Sequence, residues 1–157
     1  MDEIHDSAQA RLDVSADSAF ACITNIDRLP QWNAAIGQVI DRPAELRPGA
    51  QWTVRMQPNR LMRWGSRSTV ADLDQAARRF SYRTVNTDGN PSYAVWSWEV
   101  NPAGAGCDVR VRWDVQLATL DRRLLAGPIR RRQLRREVAA SLRQLELAAR
   151  AVAVDGR

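Results

Sequence analysis

The run from Cys107 to Leu117, CDVRVRWDVQL, carries an apolar residue at every odd position and Asp, Arg or Gln at every even one. Strict alternation over that length is the mark of a β-strand with one face buried and the other in water. Trp52 alternates with Val54 and Met56, Trp64 with Met62, Trp96 with Trp98 and Val100, and Trp113 belongs to the run itself. An antiparallel sheet that is apolar on one face needs a cover. The candidate cover is the segment from Asp121 to Ala153, where Leu124, Leu125, Ile129, Leu134, Val138, Leu142, Leu145, Ala149 and Val152 approximate helical spacing. The pattern predicts a curved sheet gripping one helix around a pocket.

The remaining elements follow from local signals. Ala8 to Val14 reads as a first strand, and Ser15 can cap a helix from Ala16 to Ile26 because its hydroxyl accepts a free amide proton. A second short helix begins at Asp27, with Pro30 tolerated near its first turn. Strands are expected at Gln38–Asp41, Gln51–Gln57, Leu61–Asp74, Arg78–Val85, Ser92–Asn101 and Cys107–Thr119, separated by the turn-formers RPGA, PN, DQA, TDGNP and PAGAG. Gly127-Pro128 predicts a kink or restart of the last helix after Ala126.

At 157 residues and 45% hydrophobic content the chain reads as one domain spanning 1–157, with a core over roughly 8–150 and loose termini. Cys22 and Cys107 have no ligand spacing around them, and the opening MDEIHDSAQARL lacks the basic and apolar regions of a signal peptide. With no apolar run long enough to span a bilayer, the expectation is a reduced cytoplasmic protein without membrane insertion. Its oligomeric state is expected to be monomer or homodimer.

The net charge of +5 is unevenly placed: residues 1–119 hold 13 Arg against 14 acids, and residues 120–150 hold 9 Arg against 3 acids. Arg130, Arg131, Arg132, Arg135 and Arg136 cluster on the last helix and read as its solvated back, with a partner-protein surface as the alternative. Nucleic-acid readers spread basic and stacking groups more widely, so no nucleic-acid partner is expected. All 23 basic residues are arginine, which excludes Schiff-base chemistry and a phosphate-loop lysine.

Strand, two short helices, six strands and a long helix is the order of the helix-grip fold. The chain resembles the START-like superfamily, which includes polyketide cyclase/dehydrase-like proteins and the birch-pollen-allergen (Bet v 1) type. The resemblance is carried by SADSAFACITNIDRLPQWNAAI, by ELRPGAQWTV and by RRFSYR ahead of a tryptophan-bearing strand. It implies an α+β fold with a seven-stranded antiparallel sheet. It also implies a cavity between sheet and helix, and an aromatic, here Trp32, packing the second helix on the sheet.

Strand parity points Trp52, Trp64, Trp96, Trp98 and Trp113 inward together with Ser66, Ser68, Phe80, Tyr82, Thr84 and Val111, facing Leu134 and Val138 of the helix. Any one tryptophan can simply fill the core. As a set, lined with a few hydroxyls, they suit a hydrophobic or aromatic small molecule, lipid- or polyketide-like, with indoles stacking on it.

Catalytic groups are few. His5, the single histidine, is expected before the first strand, no serine sits in a nucleophile elbow, and no cluster of donors has metal spacing. No glycine-rich cofactor fingerprint exists, so neither metal nor cofactor is expected. A cyclase, aromatase or dehydratase acting by orientation needs little acid–base machinery. The resemblance makes Tyr82 its candidate proton donor, helped by Ser66, Ser68 or Arg130. A binder without chemistry ranks narrowly ahead of this enzyme.

Overall fold

Alternation along Cys107–Leu117 places that run where both of its edges can pair. In the computed structural model, which describes residues 2–118 and 127–155, it is β7 (Gly106–Leu117), flanked by β1 (Asp2–Leu12) and β6 (Tyr93–Ala103). Between β1 and the rest of the sheet the chain forms α1 (Ala16–Thr24), a 3₁₀ turn (Ile26–Arg28) and α2 (Leu29–Trp32). β2 (Ile36–Asp41), β3 (Gln51–Asn59), β4 (Met62–Asp74) and β5 (Arg79–Asn86) follow, and α3 (Gly127–Asp155) is the last described element. All pairings are antiparallel, in the order β1-β7-β6-β5-β4-β3-β2. This is the α+β helix-grip architecture.

Register turns the alternation into a layered inner face. Tyr82 lies opposite Trp96 and Trp96 opposite Trp113, while Phe80 lies opposite Trp98 and Trp98 opposite Val111. The inward aromatics therefore stand in lateral rows across β5, β6 and β7. A register shift between Val70 and Asp72 changes the phase of β4, so that Leu73, opposite Phe80, joins the core. Such a bulge inserts one residue and redirects every side chain beyond it.

The first strand is longer than expected. It begins at Asp2 rather than Ala8 and pairs with β7 as far as Leu117, so His5 sits inside a strand and not ahead of one. His5 bonds through Nδ1 to Asp114 and through Nε2 to Glu3 at 2.7 Å. The second helix is shorter than expected, since the backbone turns extended at Asn33 after a single turn. At the β6–β7 hairpin Gly104 takes φ +60°, and a Cβ on Gly106 would stand 2.3 Å from the Leu12 carbonyl oxygen of β1. A side chain at 106 has no room there.

The cover helix starts at Gly127, and the expected helical residues Leu124 and Leu125 lie outside the described residues. Leu134, Val138, Leu142, Leu145 and Ala149 are buried in one core with α1, α2 and the inner face of the sheet. Ile129, expected on that apolar face, is instead 69% exposed. Polar tethers fix the helix in place. The Ala34 amide donates to Ser141 Oγ at 3.0 Å, and the Asp13 amide to Glu146 Oε1 at 2.9 Å. Arg135 pairs with Asp6, and Arg131 reaches the Glu3 carbonyl at 3.4 Å. Two of the clustered arginines thus fasten α3 to β1, beyond the solvated role expected for the cluster.

Candidate functional site

Between α3 and the inner face of β3–β6 lies a recess of about 70 Å³. Its sheet-side wall is aromatic because the inward positions of β3, β5 and β6 hold Trp52, Tyr82, Trp96 and Trp98. The Trp52 ring meets Tyr82 edge-on with centroids 5.0 Å apart, and Trp32 meets Trp98 edge-on at 5.4 Å. These are the offset and T-shaped arrangements that ring quadrupoles favour.

The polar groups of the recess come from both sides. Trp98 Nε1 donates to the Tyr82 hydroxyl at 3.1 Å. A hydroxyl has one proton to give and two lone pairs. With a lone pair engaged by Trp98, the Tyr82 proton remains available, and among the described residues nothing is bonded to it. Burial pushes the phenol up to about 12, against a smaller opposing effect from Trp98. Tyr82 is therefore a neutral donor at physiological pH. Next to it, Ser68 and Thr84 share a hydrogen bond of 2.7 Å between β4 and β5.

From the helix, Arg130, Leu134, Glu137, Val138 and Ser141 fall on one face because they are spaced three or four apart. Gln133 Nε2 donates to Glu137 Oε1 at 2.8 Å, and Arg130 Nη1 lies 3.8 Å from the same oxygen. Burial raises the proton affinity of Glu137 above the ordinary carboxylate value and outweighs the lowering by Arg130 and Gln133. Arg130 also lies over the Trp64 ring, 6.0 Å from its centroid. Asn33 lines the recess while its Oδ1 accepts from the Ala35 amide at 3.1 Å.

Trp52, Ser66, Ser68, Tyr82, Thr84, Trp96 and Trp98 line the recess from the sheet, and Leu134 and Val138 line it from the helix. Trp64, Phe80, Val111 and Trp113 do not line it. Phe80 stands behind the wall, 6.0 Å from Trp52 and 5.1 Å from Tyr82, and Val111 is fully buried in the core. Trp113 is 1% exposed and packs beside Trp96 at 5.7 Å, with its Nε1 unbonded. Trp64 is half-buried at the rim, against Arg130. Parity assigns a face, but the position along a strand decides whether helix, core or recess lies above it. Glu137 was missed, although its place between Leu134 and Val138 put a carboxylate on the apolar stripe. Leu29, Ala35, Ile36, Val54 and Met56 complete the lining from α2, the turn after it, β2 and β3.

The described residues hold no group of three or more His, Cys, Asp or Glu placed to bind a metal ion. No described helix is long and apolar enough to cross a membrane.

Comparisons with solved structures agree on the fold. The structure of Ara h 8.0201 superposes with a TM-score of 0.73 at 12% identity, over 96% of this chain and 99% of that one. The Zhui aromatase/cyclase from a Streptomyces species gives a TM-score of 0.72 at 18% identity, over 95% of this chain and 94% of that one. The di-domain ARO/CYC StfQ of steffimycin biosynthesis gives 0.76 at 13% identity, and the match covers 96% of this chain but 52% of that chain. A search of curated protein sequences finds no match. The family model described as polyketide cyclase/dehydrase and lipid transport matches residues 4–150. With the helix-grip sheet, the long cover helix and that match over nearly its whole length, the chain belongs to the polyketide cyclase/dehydrase and lipid transport family of the START-like superfamily.

Proposed function

We propose that the recess binds an oxygenated aromatic or polyketide-like small molecule. The observation that carries this reading is the Tyr82 hydroxyl, held by Trp98 at 3.1 Å within a wall of indoles and with its proton still to donate. The rings offer stacking surface, and the phenol, with Ser68 and Thr84, offers a place for a carbonyl or hydroxyl oxygen. A lining that also holds Asn33, Ser66, Arg130, Glu137 and Ser141 favours an oxygen-bearing ligand over a plain hydrocarbon chain.

The recess, at about 70 Å³, is far smaller than the roughly 300–1,000 Å³ of sites for drug-sized ligands. Binding of a multi-ring compound therefore requires the helix and sheet to part. The half-buried Ile36, Met56, Arg130 and Glu137 mark the end where least core packing would be lost.

A second reading, cyclisation or dehydration of the bound molecule, is favoured by Glu137. Its raised proton affinity suits it to take a proton from carbon, while Tyr82 donates a hydrogen bond to the carbonyl oxygen under attack. The aromatase/cyclase neighbours are consistent with that chemistry.

The test is native mass spectrometry followed by tryptophan fluorescence during titration with aromatic polyketide-like and fatty-acid ligands. Trp96→Phe and Tyr82→Phe should alter saturable quenching, whereas Trp113→Phe, in the core, should not. Absence of both a bound mass and a fluorescence response would overturn the reading. Turnover of a quenching ligand that Glu137→Gln abolishes, without loss of binding, would establish the second.

A further inference from the structure

Two stretches of this chain are rich in arginine and free of acid. Residues 51–71 contain Arg55, Arg60, Arg63 and Arg67 with no Asp or Glu, and residues 127–136 contain five arginines, again with none. One contact joins them. Arg130 over the Trp64 ring sets the first turns of α3 beside the β3–β4 hairpin, at the end of the recess where Arg130 and Met56 are half-buried.

Three of the five large apolar side chains exposed among the described residues lie on these two segments. Leu61, in the hairpin turn, is 96% exposed, Ile129 is 69% exposed, and Met62 is 44% exposed. Around them Arg60, Arg63 and Arg132 are exposed and form no ion pair among the described residues. Single exposed apolar residues mean little. Leu61 and Met62, set between Arg60 and Arg63 at one hairpin, with Ile129 next to the Arg130–Trp64 contact, present apolar and guanidinium groups complementary to an anionic lipid headgroup layer. The projecting side chains are aliphatic, so they provide no platform for nucleic-acid bases. They stand out from a turn and a helix end, which suits penetration of a soft layer better than contact with a rigid protein surface.

We infer that this end of the molecule docks reversibly on an anionic lipid surface. Leu61, Met62 and Ile129 enter the headgroup region, and Arg60, Arg63 and Arg132 meet the phosphates. The docking stands on this surface alone. Its purpose, loading or release of the aromatic ligand from the lipid layer, rests on the proposed reading of the recess.

The experiment is vesicle flotation of the full chain with phosphatidylcholine alone and with phosphatidylcholine containing phosphatidylglycerol, at low and high salt. Partitioning onto the anionic vesicles only, weakening as salt is raised, is the expected result. The Arg60→Ser/Arg63→Ser pair should weaken it by about 30-fold, the effect of two lost arginine–lipid interactions. Leu61→Ser should weaken it by roughly tenfold through lost apolar insertion. Both changes are at exposed positions, and circular dichroism of each variant verifies the fold. No partitioning, partitioning indifferent to these substitutions, or capture by an acidic protein but not by anionic vesicles would overturn the inference. Quenching titrations on the same variants separate the two readings, since vesicle binding without any ligand response would overturn the recess and leave the docking surface standing.

Discussion

Trp98 donates its indole N–H to the Tyr82 hydroxyl at 3.1 Å, a diagonal contact in which Trp98 lies one inward position from Trp96, the residue directly opposite Tyr82. The bond satisfies a buried indole and aims the phenol at the same time.

Tyr82→Phe removes the acceptor and leaves the Trp98 N–H, on a side chain only 3% exposed, without a partner. An unsatisfied buried donor costs about 1–3 kcal/mol. Urea unfolding should show a loss of that size. In intact Tyr82 the phenolate, followed by ultraviolet difference absorption against Tyr82→Phe, should appear only as pH nears about 12, rather than at the ordinary 10. Because the folded-state value is the higher one, the stability linked to this group is complete below about 10 and declines as pH rises towards about 12.

Glu137 is also raised, by burial, so the folded state prefers its protonated form. Its linked stability is complete below the unfolded value of 4.5 and falls as pH rises through the higher folded value. Glu137→Gln keeps an acceptor for Gln133 and removes the charge. The variant should therefore be more stable than the wild type at neutral pH, with the difference closing at or below pH 4.5. A thermal-unfolding series across pH measures this, and equal stability at neutral pH would show that Arg130 fully offsets the burial.

His5 behaves in the opposite sense to a paired carboxylate. Its hydrogen bonds, first to Asp114 and then to Glu3, raise it above 6.5 and favour the imidazolium in the folded state. That stabilisation is present in full below 6.5 and is lost as pH rises through the folded value. His5→Gln should be less stable than the wild type at mildly acidic pH and should approach it under alkaline conditions. High salt should shrink the gap, because the group is exposed.

Gly106→Ala would drive a Cβ to within 2.3 Å of the Leu12 carbonyl oxygen. The β1–β7 pairing must shift to admit it, at a cost of about 1–3 kcal/mol by analogy with overpacked sites. Hydrogen exchange should show the loss as faster exchange of β1 amides, while the β3–β4 amides keep their protection.

Much of the fold was legible because alternation and helical spacing are local codes. All seven strands and the cover helix follow from them, with ends displaced by a few residues. The larger misses, β1 reaching back to Asp2 and α2 stopping at Trp32, came where pairing with β7 or an extended turn at Asn33 overrode weak local signals. The site was only partly legible. Trp113 and Trp96 face the same side, yet one is sealed in the core and the other reaches the recess. Glu137 was hidden because a lone carboxylate in a helical stripe has the same local signature whether it meets water or a recess.

By itself, the sequence determined an alternating, one-sided sheet, its apolar cover and a cation inventory made wholly of arginine, since each depends only on residue type and period. Tertiary structure decided which inward side chains meet open space, where the Tyr82 proton is left to donate, and which arginines are spent on β1. Those outcomes depend on distances between residues far apart in the chain. Such distances are set by the register of the strands and by the tethers of α3, notably Ser141 to Ala34 and Arg135 to Asp6.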